Sequence, residues 1–198
     1  LKALVQPSNT GYGQSSNPYD YPANAQIADQ VHAQGGMVIY AHPAYFADDF
    51  SSMAAPAARE LGVDIALGKV DGLEILNYPS SDDLSIDLWY RVLNCGYRIP
   101  GVAGTDVFLN WVQLPFGHGA PGGNRVYVKT GGALNYADWI EGLASGRSFV
   151  TNGPVISLAV NGQEIGSEIS LEGTPPVTVT VDAELRHYRP VETLELVW

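Results

Sequence analysis

Cysteine is almost missing from this chain. Cys95 is the only one in 198 residues, so no intrachain disulfide can form. The fold must rest on a core instead, and a hydrophobic content of 45% is enough to build one. Cys95 itself is expected as a buried small hydrophobe where a helix meets a strand. It leaves the compartment, cytoplasmic or extracytoplasmic, open. Positive charge is also scarce: 10 Lys+Arg stand against 21 Asp+Glu, for a net charge of −11. Phosphate backbones and anionic membrane surfaces are bound through basic patches, so nucleic acid and membrane are not expected partners. A small-molecule substrate fits better. No apolar run approaches the length of a membrane span, and nothing reads as a signal peptide. Several catalytic signatures are missing too. There is no GxSxG elbow, P-loop, GxGxxG fingerprint or HExxH. The chain opens at Leu1 without Met and stops at Trp198 within a strand-like run, as expected of a piece of a longer protein.

What is present divides near residue 155. Before it, strand-like runs alternate with helical ones, which predicts βα units and a mostly parallel sheet over 1–154. From 155 to 198 only strands are expected. The 7–22 stretch reads as a long loop, and residues 23–34 as a helix with Ala25, Ile27, Ala28, Val31 and His32 on one face. His32 reads as a surface or satisfied interface residue. Residues 35–43, GGMVIYAHP, predict a short buried strand over 37–41, stopped by Pro43. A small-residue helix over 53–61 is expected to break at Gly62. Residues 70–77 read as a second strand in which Gly72 allows close approach. Ser81, Asp82 and Asp83 are cap-like residues before a helix that runs to about Asn94. Residues 97–105 form a third strand made irregular by Pro100 and Gly101. A second long loop, 107–124, precedes a strand at 125–129, a helix at 136–145 and a strand at 148–151. A strand at 155–160 then meets Asn161-Gly162, a two-residue hairpin signal. Beyond a linker at 173–176, VTVTVDAEL and ETLELVW alternate like sandwich strands.

Chemistry concentrates at strand ends. Ligands of α/β folds gather at the C-terminal ends of strands, and His42 and Asp106 are both expected there. An imidazole with a carboxylate suits a divalent metal such as Zn, Mn or Fe. Two donors fall short of the four or so that a zinc site uses. His118, flanked by glycines in the 107–124 loop, is the candidate third ligand or else a surface histidine. Glu74 interrupts an apolar strand, which is costly unless the carboxylate is paired. It points into a polar site or lies on an exposed strand face. Glu74 and Asn77 are candidates for supporting metal ligands or touching substrate. Tyr45, in the loop after His42, is a candidate for the mouth of the site.

GGMVIYAHP, DGLEILNY, RIPGVAGTD and GRSFVTNGPVI, in this order, resemble the C-terminal part of the PHP (polymerase and histidinol phosphatase) superfamily. The likeness covers roughly residues 23–162, and the nearest branch is that of the CehA/McbA-like metallohydrolases. It implies a distorted β/α barrel, present here in part, followed by a small all-β segment. It also implies a cluster of metal ions at the strand ends and hydrolysis of phosphoester, carbamate or amide bonds. The histidine of the AHP motif, His42 here, would be a metal ligand. The family's closing Asp-x-His reads Asp106-Val107-Phe108, so the second ligand of that pair is replaced by an aromatic ring. The family's opening His-x-His has no counterpart. Two readings follow: a metal-dependent hydrolase whose site is incomplete in this chain, expected to be inactive alone and to bind metal weakly or not at all, or a non-catalytic PHP-like module that binds a ligand or carbohydrate and carries a β-sandwich.

Overall fold

The computed structural model describes residues 23–44, 60–77, 82–107, 120–174 and 176–198. Three small sheets organise them. The first is parallel, with β1 (Ile39–Tyr40), β2 (Gly72–Leu76) and β3 (Gly101–Ala103) side by side in chain order. The helices α2 (Leu61–Ala66) and α3 (Asp82–Asn94) connect them, so the expected βα units are present. The central strand β2 is buried on both faces, as its apolar run requires. Gly72 begins it because a side chain there would meet Ile39 and Val102 on either side, at 3.1 and 3.5 Å from its first carbon. Leu73, Ile75, Tyr40, Val70, Ile65, Leu61, Val92 and Ile99 form the core, with Trp89 of α3 packed on its edge. The Trp89 indole donates to the Ile99 carbonyl at 2.7 Å.

The first helix, α1 (Asn24–His32), is fastened by polar contacts more than by its small apolar face, where only Ala28 is buried. His32 Nε2 lies 2.7 Å from Asp71 Oδ2, which also accepts the Val38 N–H at 2.7 Å. His32 is therefore a satisfied interface histidine. Lys69 pairs with Asp29. Inside the fold, the Tyr40 hydroxyl donates to the buried Asp64 carboxylate and accepts from Asn24 Nδ2 at 3.0 Å, joining α1, β1 and α2. Burial, with Asp64 beside it, pushes the Tyr40 hydroxyl well above its usual range.

Several expectations need correction. Of the helix expected over 53–61, residues 53–59 lie outside the described residues; Gly62, expected to end it, lies within α2, where burial of Leu61 and Ile65 outweighs its unfavourable propensity of about 1 kcal/mol. Cys95 is exposed, because α3 ends in a turn that turns it outward before Gly96. The sheet does not stay parallel up to residue 155. β4 (Arg125–Val128) and β5 (Ser148–Thr151) pair antiparallel, because α4 (Tyr136–Ala144) returns the chain to the end it left. There the Lys129 N–H donates to the Arg147 carbonyl at 2.8 Å. Among the described residues no sheet closes into a barrel. The mixed α/β class stands.

The third sheet has the order β7-β6-β8, from β6 (Val155–Val160), β7 (Gln163–Glu164) and β8 (Val181–Arg186). Asn161 and Gly162 have φ of 50° and 74°, the positive values that a tight hairpin turn demands. ETLELVW forms no strand; Leu194, Leu196, Val197 and Trp198 are exposed.

Gly142 shows how closely α4 sits on β4. A first side-chain carbon there would lie 2.6 Å from Val128 Cγ1 and 2.9 Å from the Lys129 carbonyl oxygen. In an open helix Gly→Ala stabilises by roughly 0.5–1 kcal/mol. Here the clash is partly with backbone, and overpacking of this kind costs about 1–3 kcal/mol. Gly142→Ala is therefore expected to lower stability in urea denaturation, and a stabilised variant would show that α4 and β4 can separate freely.

Candidate functional site

The parallel sheet places His42 and Asp106 at the same edge. His42 follows β1 by two residues and Asp106 follows β3 by three, with β2 between them. Both residues take left-handed backbone, with φ of 34° and 43°. For a non-glycine residue such a conformation costs about 1–3 kcal/mol, so surrounding contacts must hold it. At His42 the holding group is Glu74, whose Oε2 accepts the His42 N–H at 2.8 Å. Pro43 and Ala44, both fully buried, anchor the chain immediately afterwards.

Glu74 thus points into the polar site and not onto an exposed strand face. Its Oε2 also accepts from Asn77 Nδ2 at 2.5 Å. Its Oε1 fills the space above Gly104, 2.3 Å from where a first side-chain carbon would lie, so residue 104 has to be glycine for this carboxylate to sit there. Burial pushes the Glu74 carboxyl above the usual range. The Asn77 amide and the His42 N–H pull it back, as does the His42 ring, and the charge of Asp106 adds to the rise. The Glu74 carboxyl thus feels the charge of residues at both strand ends.

Asn77 is 4% exposed and ends β2. Its N–H donates to Asp82 Oδ1 at 2.8 Å, which ties the first turn of α3 to the site. Burial raises the Asp82 carboxyl, the Asn77 N–H lowers it again, and Asp83 raises it further. The Asn77 Oδ1 atom is buried and has no hydrogen-bond partner among the described residues.

Sequence reading missed Asn124. Its Nδ2 donates to the Asn77 carbonyl at 3.1 Å and to the Gly104 carbonyl at 2.9 Å. One amide thereby clamps the ends of β2 and β3 together where their register has already slipped between Glu74 and Leu76. The available signal was weak: an amide at the end of a glycine-rich loop, directly before a strand, is suited to bonding backbone.

The other predicted site residues, Tyr45 and His118, lie outside the described residues, as does Phe108. Among the described residues no group of three His, Cys, Asp or Glu side chains is arranged to hold a metal ion. No helix among the described residues is long and apolar enough to cross a membrane. Compared with family models, curated proteins and solved structures, the chain matches none.

Proposed function

We propose that this chain carries part of the divalent-metal centre of a hydrolase of the PHP superfamily, on a partial β/α barrel. The observation that supports it is the placement of His42 and Asp106 beyond the C-terminal ends of β1 and β3, at one edge of the sheet, with β2 and its Glu74 between them. His42 and Asp106 would hold a Zn, Mn or Fe ion. Further donors would come from outside the described residues, with His118 the first candidate. Such an ion, when bound, supplies Lewis acidity toward water and toward the scissile group of a small phosphoester, carbamate or amide substrate. Glu74 fixes the His42 backbone, Asn77 fixes Glu74, and Asn124 fixes the two strand ends. A second reading, a ligand-binding module without catalysis, rests on Phe108: its ring replaces an imidazole and offers no lone pair to a metal.

Because the sequence offers at most three candidate donors, His42, Asp106 and His118, this chain is expected to bind metal weakly or not at all. Titration with Mn²⁺, followed by NMR, should broaden the amide signals around His42 and Asp106 selectively, and His42→Ala or Asp106→Ala should abolish the effect. Broadening elsewhere, or broadening that survives both substitutions, would sink the metal-centre reading. His118→Ala in the same experiment tests the third donor.

A further inference from the structure

A second concave region lies outside the candidate metal centre. The outer face of β4–β5 and the β6–β7–β8 sheet enclose a cleft of about 620 Å³. Face-to-face sheets ordinarily fill the space between them with side chains. Here the wall that carries Asp182 and Glu184 also carries Ser157 and Ala159, which are too small to reach across. The opposite wall carries Tyr127 and Phe149, a cross-strand pair with ring centroids 5.1 Å apart and planes 10° from parallel. Tyr127 is 42% exposed, and the Arg125 guanidinium lies over its ring, 6.0 Å from the centroid, so this aromatic surface already draws a cation. The volume is that of a small-molecule site.

Charge decides what would enter. Three carboxylates line the cleft, those of Glu164, Asp182 and Glu184, against one lysine, Lys129. Lys129 is paired with Glu164, an ion pair that also joins the two walls. Glu184 is paired with Arg186 at 2.7 Å. Asp182 has no hydrogen-bond or ion-pair partner among the described residues, and the residue opposite it in the ladder is Ala159, which leaves room beside it. The face that carries Asp182 thus offers small residues, Ser157 and Ala159, opposite the Tyr127–Phe149 pair, and one carboxylate without a partner among the described residues.

The geometry points to a binding site for a small amphipathic organic cation, with its apolar body on Tyr127 and Phe149 and its ammonium at Asp182. Aromatic faces and carboxylates both attract ammonium groups, and an anionic ligand would be repelled. The site stands apart from the metal-centre reading and does not depend on it.

Benzyltrimethylammonium, phenylacetate and cellotetraose serve as cationic, anionic and neutral carbohydrate probes of the full chain in NMR titrations. The cation is expected to saturate at about millimolar or tighter, shifting the signals of Tyr127, Phe149 and Asp182. Asp182→Asn, a change at an exposed residue, should weaken it about threefold or more with the other signals unmoved. Tyr127→Leu should weaken it as well. Equal or tighter binding of phenylacetate or cellotetraose, no saturable shift with the cation, or an unchanged affinity in Asp182→Asn would each overturn the proposal.

Discussion

Leu73→Ala is expected to remove roughly 2–5 kcal/mol of stability, the range for truncating a fully buried leucine. Leu73 is completely buried in the middle of the parallel sheet. Its strand is paired on both sides, with Tyr40 of β1 and Gly101 of β3. A strand held by two ladders cannot shift inward to fill the space, so the upper part of the range applies. Domains of this size are stable by only about 5–15 kcal/mol, so the loss takes a large share. Leu73→Ile keeps the volume and adds a branch that strands accommodate, and it should cost less than about 1.5 kcal/mol. Urea denaturation of the two variants beside the parent measures the difference. A loss below about 1 kcal/mol for Leu73→Ala would mean that β2 is not the centre of the core.

Local chemistry was the legible part of the fold. The Asn161-Gly162 hairpin follows from the need for positive φ at two successive residues, which the pair itself supplies. The strands at 148–151 and 155–160 fall where alternating pattern and turn residues put them. What depends on a partner was harder to see. The apolar run expected over 37–41 is strand only at Ile39–Tyr40, because the ladder exists only where β2 lies alongside, from Gly72 onward. ETLELVW has a strand's alternation but no partner among the described residues, and alternation alone makes no ladder. The antiparallel turn-back of β4 and β5 is set by how α4 lies on β4, through contacts at Gly142 that a pattern of single residues does not reveal.

The same division holds for the site. His42 and Asp106 stood out because each follows an apolar run, and a parallel sheet then brings such positions to one edge. The alternatives for Glu74 were resolved by its partners, the His42 N–H and the Asn77 amide. Asn124 escaped notice because its two acceptors lie 47 and 20 residues away in the chain. A polar side chain that bonds distant backbone looks, in sequence, like any loop residue.

Glu74→Leu is expected to do more damage than its half-buried position suggests. Leucine would fill much of the volume but accept nothing. The His42 N–H and the Asn77 Nδ2 would both lose their acceptor, Asn77 within a site where it is 4% exposed. Each orphaned buried donor costs about 1–3 kcal/mol. Relief from burying a carboxylate offsets part of this, so a net loss of about 1–4 kcal/mol is expected. The left-handed backbone at His42 would also lose the bond that holds it. Glu74→Gln separates acceptor from charge: its amide oxygen can still take the His42 N–H, so backbone geometry should survive. The measurements are urea denaturation and the amide chemical shift of His42. The expected order is a large shift and a large stability loss for Leu, and small changes in both for Gln. If Leu and Gln behave alike, Glu74 acts through its charge alone, and the hydrogen bond to His42 does not position the site.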